Sequence, residues 1–336
     1  MIKVGIIGIG KMGISHLAIL GAHPDVEIAG VCDTSKMMLD AIEKYSPFPC
    51  FTDHRKMLDT AKPDAVIVAV PTRYHADIVA ELLERNIHVF VEKPFCLNAE
   101  QAPSLIALAK ERKLVNQVGY HNKFIGTFRE VKRIVNSGAL GDIYHFHGQS
   151  YGPVVIRAKQ ESWRTNPEEG GGCLMDYASH VIDLINDILA PVDKVTSSTL
   201  KSIFSKQVDD AVFAMMQLKN NVSGMLSVNW SDDTFRKMTT SLTINGTKGK
   251  IISDANEFKV FFKDKEAPVG YRSGWNIKYV TDLTEPVEYY LRGEEYSAQM
   301  DYFIKSVLGT KPNLINTFET AAQTDRAISL IRKAQS

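Results

Sequence analysis

Charge of one sign is missing from this sequence. Its 336 residues carry 39 Lys and Arg against 39 Asp and Glu, a formal net charge of zero, with no basic run to track a phosphate backbone. Nucleic-acid binding through an electrostatic footprint is therefore not expected. Cysteine is scarce as well. Cys32, Cys50, Cys96 and Cys173 are scattered, with neither metal-knuckle spacing nor a disulfide framework, which fits a reducing compartment. No apolar run approaches the length of a membrane span, and the N-terminal apolar stretch is broken by glycines and Lys11 rather than built as a secretion leader. Internal repeats and low-complexity segments are also lacking. These absences lead to the expectation of a cytoplasmic protein with no membrane and no nucleic-acid partner. Its length suits two domains, each able to bury its own core.

What is present begins at once. Residues 4–13 read Val-Gly-Ile-Ile-Gly-Ile-Gly-Lys-Met-Gly, an apolar run followed by Gly8-x-Gly10-x-x-Gly13. A helical pattern (Ile14, Leu17, Leu20) comes next, then a second apolar run, Val26 to Cys32, that ends on the acidic Asp33. That is the order of a dinucleotide-binding βαβ unit. Gly8 permits the tight turn, Gly10 lets the backbone approach a pyrophosphate, and Gly13 lets the helix pack close to its strand. The helix N-terminus at Lys11 and Met12 faces the anion. A carboxylate at Asp33 accepts hydrogen bonds from a ribose 2′-OH and repels a 2′-phosphate. The expected cofactor is NAD, with Ser35 and Lys36 leaving NADP possible.

The first 121 residues alternate short apolar strands with helical patterns. Candidate strands are Lys3–Ile7, Val26–Cys32, Ala65–Val70, Ile87–Glu92 and Val115–Gly119, with amphipathic stretches His75–Glu84 and Ala99–Arg112, the latter capped by Asn98. Strands apolar on both faces indicate a doubly wound parallel sheet covered by helices on both sides. From residue 122 the character changes. A helical stretch Phe124–Ser137 ends at Gly138, and long segments with period-two alternation follow: Asp142–Gly152, Val195–Ser202, Ala211–Leu218, Gly224–Trp230 and Met238–Ile244. Lys219-Asn220-Asn221 and Asn245-Gly246-Thr247 read as turns. The expected class is α/β: a Rossmann domain over 1–121, then a domain over 122–336 with a large, open, mostly antiparallel sheet. A final helical pattern, Asn316–Ala334, packs back on the body.

Two clusters carry possible chemistry. Glu92-Lys93-Pro94 stands at the carboxyl end of a strand, where doubly wound sheets bind ligands. An ammonium there can stabilise developing alkoxide charge; an exposed strand-end ion pair is the other reading. The second cluster is Gly170-Gly171-Gly172-Cys173-Leu174-Met175-Asp176-Tyr177-Ala178-Ser179-His180. Asp176 and His180, four apart, share one helical face, and a histidine beside a carboxylate makes a general base. A helix-surface pair, or a histidine satisfied in the core, fits the same spacing. Cys173, Asp176 and His180 could also share a face as metal ligands, but one Cys and one His without a further ligand nearby make a poor zinc set, so no metal is expected. Arg157, Lys159, Trp163 and Arg164 form a loop that could meet a phosphate, a carboxylate or a sugar face, or else leave Trp163 tucked into the core.

Taken together, these motifs resemble the glucose–fructose oxidoreductase / inositol dehydrogenase / rhizopine-catabolism (Gfo/Idh/MocA) family over nearly the whole chain. The glycine turn, Glu92-Lys93-Pro94 and Gly-Gly-Gly…Asp176-x-x-x-His180 occur in the family's order, and Ala69-Val70-Pro71-Thr72-x-x-His75 and Ser162-Trp163-Arg164 match segments usual there. The resemblance implies that Pro71, Thr72, His75 and Glu92 join the cofactor site. It implies that Lys93 contacts the nicotinamide ribose and the substrate hydroxyl, that Asp176 holds substrate, and that His180 acts as acid or base. It also implies a cis Lys93–Pro94 bond and a homo-dimer or homo-tetramer formed through the open sheet. The chain departs from the pattern at Lys123, where arginine is frequent, while His121 and Asn122 remain candidates for lining the pocket beside Trp163 and Arg164.

The activity implied is reversible hydride transfer between NAD and a ring secondary alcohol of a sugar, sugar derivative or cyclic polyol. His180 takes the hydroxyl proton, Lys93 stabilises the alkoxide-like transition state and Asp176 orients substrate or imidazole. Two alternatives remain, a non-catalytic NAD-dependent regulator and an NAD-dependent glycosidase.

Overall fold

A computed structural model describes residues 1–154, 163–263, 267–287, 290–291 and 293–335. The chain forms two compact units, one of residues 1–121 with 287–322, the other of residues 122–286 with 323–336.

The first unit holds six strands: β1 (Ile2–Ile7), β2 (Val26–Cys32), β3 (Cys50–Phe51), β4 (Ala65–Val68), β5 (His88–Val91) and β6 (Asn116–Val118). Their order is β3-β2-β1-β4-β5-β6, every neighbouring pair parallel. The chain order reverses between β1 and β4, which places a ligand crevice beyond the carboxyl ends of those strands. The helices between them are α1 (Lys11–Gly21), α2 (Lys36–Tyr45), α3 (His54–Ala61), α4 (His75–Glu84) and α5 (Ala102–Glu111). Alternate residues of β4 enter different cores. Val66 and Val68 pack with Val89, Val91 and Val79 on one face, while Ala65 and Ile67 pack with Ile6, Leu17 and Phe90 on the other. A strand buried on both faces cannot show polar alternation, so the near-continuous Val/Ile runs follow from the sandwich.

Residues 287–322, expected with the second domain, belong to the first unit. Helix α8 (Glu294–Val307) places Met300, Phe303 and Ile304 in the core beside Phe90. The chain then runs along β6: Val118 N–H donates to Asn316 O at 2.8 Å, Asn316 Nδ2 to Tyr120 O at 2.8 Å, and Phe318 N–H to Asn116 Oδ1 at 2.8 Å. An edge strand that would otherwise offer bare donors and acceptors is thereby covered. Helical periodicity reveals that a face is apolar, not which core receives it.

The second unit holds one eight-stranded sheet, ordered β14-β13-β12-β11-β7-β10-β9-β8. Its strands are β7 (Ile143–Tyr151), β8 (Val192–Lys201), β9 (Ala211–Leu218), β10 (Ser223–Asn229), β11 (Ser241–Gly246), β12 (Gly249–Asp254), β13 (Glu257–Phe262) and β14 (Gly274–Tyr279). β7 and β10 pair in parallel and the other neighbours antiparallel, as a mostly antiparallel sheet requires. β12, β13 and β14 lie outside the strands that the sequence pattern marks. On β14 the large apolar side chains Trp275, Ile277 and Tyr279 are the exposed ones, so its pattern does not read as a core strand. Gly246, expected in a turn, is the last residue of β11, paired with Ile143, and a Cβ there would lie 2.3 Å from Leu140 O.

One face of the sheet carries helices α6 (Gly126–Asn136) and α7 (Ser179–Ile188). Contact is close enough that a Cβ on Gly148 of β7 would stand 2.5 Å from Val181 Cγ1 and 2.9 Å from Ile185 Cδ1 of α7. On the opposite face the register aligns Met215, Met225, His147, Thr243, Ile252, Lys259 and Ile277 in one row, and its apolar members are exposed. The last helix, α9 (Phe318–Lys333), has its C-terminal part in this unit, where Ser198 Oγ donates to Ile331 O at 2.6 Å. No helix among the described residues is long and apolar enough to cross a membrane.

Candidate active site

In the first unit the glycine turn is built as the sequence suggests. Gly8 has φ +95, and a Cβ on it would lie 2.5 Å from Ala69 O, so the turn and the end of β4 require glycine. A Cβ on Gly13 would lie 1.8 Å from Gly8 O. Gly10 is different: nothing stands within 4 Å of the Cβ position, leaving open backbone at the N-terminus of α1. There the first N–H groups of the helix have no intrahelical acceptor. That cradle fits a pyrophosphate. Asp33 closes it, its Oδ2 accepting Ile9 N–H at 2.6 Å and its Oδ1 accepting Ser35 N–H at 2.7 Å. Each oxygen keeps a second lone pair, so the pinned carboxylate can still accept from a ribose hydroxyl.

The strand end at Glu92-Lys93-Pro94 is held from two sides. Glu92 is buried, its Oε1 lies 2.7 Å from His16 Nε2, and its Oε2 accepts the Lys93 N–H at 3.2 Å. Burial pushes the Glu92 carboxyl up, but the hydrogen bond and charge of His16, with the Lys93 cation, outweigh it and hold the group below the usual carboxylate range. Gly119 leaves room for this carboxylate, which a Cβ would meet at 2.8 Å. The Lys93–Pro94 bond is cis. Thr72 begins a 3-10 turn after Pro71 and is buried. His75, expected against the cofactor, is 1 % exposed, with Nε2 3.0 Å from Val70 O and Nδ1 2.9 Å from Pro94 O. His121 follows β6, and its ring stacks on Tyr296 of α8 at 4.6 Å between centroids, 22° from parallel.

In the second unit, Gly171 N–H donates to Asn166 O at 2.9 Å and Gly172 N–H to Arg164 O at 3.1 Å, tying the glycine run to the segment before it. A Cβ on Gly171 would lie 2.4 Å from Arg164 O, and Gly172 has φ +107. Leu174–Ala178 forms a π-helical turn that passes directly into α7, so the helix carrying the site widens where Asp176 sits. Such turns recur at functional positions. The helix start is capped from a distance: Leu174 N–H donates to Asp209 Oδ2 at 2.7 Å and Cys173 N–H to Asp209 O at 2.8 Å. Asp209 stands 35 residues later in the chain, and no local signal announces it.

Asp176 and His180 are 5 % and 4 % exposed. Arg164 Nε donates to Asp176 Oδ2 at 2.9 Å, and the guanidinium carbon sits 4.4 Å over the Trp163 ring. A bond from a cation keeps the Asp176 carboxylate acceptor-only and fixes its orientation. Arg157, Lys159 and Ser162 lie outside the described residues. Burial pushes the Cys173 thiol well up, with Asp209 and Asp176 adding to it. A thiol so disfavoured as thiolate is a poor metal ligand. Asn122 is buried, and Lys123, at the point of departure from the family pattern, forms a buried ion pair with Asp183 of α7 at 2.9 Å. That cation is committed to the helix bearing His180, one turn further along.

Residues 2–120 match an oxidoreductase family with an NAD-binding Rossmann fold, and residues 128–252 match the GFO/IDH/MocA C-terminal domain. D-glucoside 3-dehydrogenase of Escherichia coli is 28 % identical over 70 % of this chain and 70 % of its own. Myo-inositol 2-dehydrogenase of Thermotoga maritima is 23 % identical over 94 % of this chain and 90 % of its own. A solved levoglucosan dehydrogenase in complex with NADH superposes with a TM-score of 0.87 at 21 % identity, covering 99 % of this chain and 96 % of that one.

Proposed function

The chain belongs to the Gfo/Idh/MocA family of NAD-binding oxidoreductases, and we propose that it oxidises a ring secondary alcohol of a sugar, a sugar derivative or a cyclic polyol, reversibly. The observation that carries this reading is the Arg164–Asp176 pair at 2.9 Å, whose carboxylate sits on the turn leading into the helix that bears His180. It is a buried carboxylate fixed as a hydrogen-bond acceptor one turn from a group able to exchange a proton. Sugar and inositol dehydrogenases among the relatives point to the same substrate class.

Gly8, Gly10, Gly13 and the Lys11–Met12 end of α1 would hold the pyrophosphate of NAD, and Asp33 its adenosine ribose; Pro71, Thr72 and Glu92 belong to the same set. When bound, NAD supplies the acceptor for the hydride. The remaining work falls to side chains. His180 accepts the hydroxyl proton at an imidazole nitrogen as the C–H bond breaks, and returns it in the reverse direction. Lys93 donates to the same oxygen and stabilises its developing negative charge. Asp176 accepts from a neighbouring hydroxyl and so fixes which carbon is presented. His121, Asn122, Trp163 and Arg164 complete the substrate side. We also place a homo-dimer or homo-tetramer contact on the exposed sheet face, and the protein in the cytoplasm, where its unbridged cysteines would persist.

A panel of inositols, aldoses, glycosides and nucleotide sugars, followed by NADH absorbance and by product analysis, tests the reading. Net NADH with one member of the panel is the expected result. Sugar release without net NADH, or NAD binding with no turnover on any alcohol in the panel, would overturn it.

A further inference from the structure

Two buried histidines of the first unit take no part in the reaction just described, and both bond to the strand end that carries Lys93. His16 lies on α1, one turn beyond Gly13, and is 0 % exposed. Its Nε2 faces Glu92 Oε1 at 2.7 Å. Because Glu92 is held ionised, it can only accept, so the His16 N–H donates. The ring is braced edge-on against Phe90 of β5, with centroids 5.3 Å apart, two residues before Glu92. The other carboxylate oxygen receives the Lys93 main-chain N–H at 3.2 Å. A chain of bonds thus runs from the dinucleotide helix through Glu92 to the backbone of Lys93.

His75 approaches from the other side. Its Nδ1 lies 2.9 Å from Pro94 O and 3.3 Å from Phe95 O, and its Nε2 lies 3.0 Å from Val70 O. Burial disfavours the charged ring, and a neutral imidazole carries one N–H. A clamp on this strand end assigns it to Nδ1, which faces the two carbonyls just after Lys93, while Nε2 lies beside Val70 O beyond β4. A buried imidazole is a costly way to fill space, and here two of them converge on the four residues Glu92–Phe95.

We propose that His16 and His75 are positioning residues that clamp the Glu92–Phe95 strand end from both sides and so fix where the Lys93 ammonium stands. The proposal rests on the role given to Lys93 above. His16 acts through the Glu92 carboxylate and His75 through the Pro94 and Phe95 carbonyls.

The test uses isotope-labelled reductive methylation of lysines in the full chain without cofactor, with the Lys93 resonance identified by its loss in Lys93→Gln. In His16→Phe and His75→Phe, which keep ring volume but lose the donors, the Lys93 resonance shifts or broadens while lysines elsewhere hold still. His16→Gln and His75→Gln, which retain an N–H, bring it back toward its original position. With the alcohol found by the panel, the Phe variants lose about tenfold to a hundredfold in kcat, while NAD affinity moves by less than about threefold. Folded Phe variants with an unmoved Lys93 resonance would overturn the clamp. Should a Phe variant fail to fold, Glu92→Gln decides for His16, since it keeps the shape and removes the charged acceptor; an unmoved resonance there counts against the clamp equally. Full turnover in Lys93→Gln would instead sink the role of Lys93, so the two failures are distinguishable.

Discussion

Lys123 and Asp183 pair at 2.9 Å with side chains 4 % and 1 % exposed, an ion pair sealed against the helix that bears His180. Burial pushes the Asp183 carboxyl up to about 6, with the Lys123 cation pulling it back. The folded chain then holds this proton more tightly than the unfolded chain does. Stability from this group accordingly falls as pH rises through about 6. Lys123→Met strands the carboxylate and should cost about 3–5 kcal/mol at neutral pH. The loss shrinks in acid, where Asp183 is protonated. Melting curves of both proteins on either side of that point check it; a pH-independent difference refutes the assignment.

His180→Ala should lower kcat by about 10² to 10⁴-fold while leaving NADH binding, read by fluorescence titration, close to wild type. Near-normal turnover on the true substrate would remove His180 from the mechanism.

Asp33 is pinned by the N–H groups of Ile9 and Ser35, which fixes its carboxylate where the proposed function puts the adenosine ribose. Asp33→Ser should weaken NADH binding and narrow the discrimination against NADPH, by about tenfold or more in the ratio of dissociation constants. Parallel titrations with the two cofactors give the answer, and an unchanged ratio would mean that selectivity lies elsewhere.

Asp209 caps the helix start at Leu174. Asp209→Ala removes an acceptor from a helix N-terminus and should cost about 1–2 kcal/mol, with Asp209→Asn losing less because its side-chain oxygen can still accept. Denaturant unfolding of both variants separates these cases; equal losses would mean that the cap bond contributes nothing.

Met225 and Met215 pair across β10 and β9 on the exposed face of the large sheet. Charge placed there, as in Met225→Glu, should convert the proposed oligomer to monomers on light scattering, because a desolvated carboxylate inside an apolar contact is expensive. An unaltered oligomer would move the contact to another surface.

The dinucleotide turn, Asp33 and the helix of His180 were legible because each is local. A glycine count, an acidic residue at a strand end and a spacing of four are written in consecutive residues. The partners that fix those groups were not. Asp209 at the helix cap, Tyr296 on His121 and His16 on Glu92 are joined across long stretches of chain, and nothing in the local pattern of either partner names the other. His75 shows the same limit from the opposite side: its position in the motif was plain, yet its bonds to Val70, Pro94 and Phe95 carbonyls turn the ring inward. The row of outward apolar residues on β14 hid a strand, since alternation identifies a core only where the apolar face is the buried one.

The segment 287–322 that completes the first unit has a bearing on how this protein is made. Synthesis runs from the N-terminus, and a domain usually folds as it leaves the ribosome. Here the dinucleotide sheet waits for Met300, Phe303 and Phe318 to fill its two faces and for Asn316 to cover its edge strand. The unit begun first is therefore completed only after residues 122–286 of the second unit have emerged. A nascent chain arrested before α8 would present an open apolar face and a bare strand edge to chaperones.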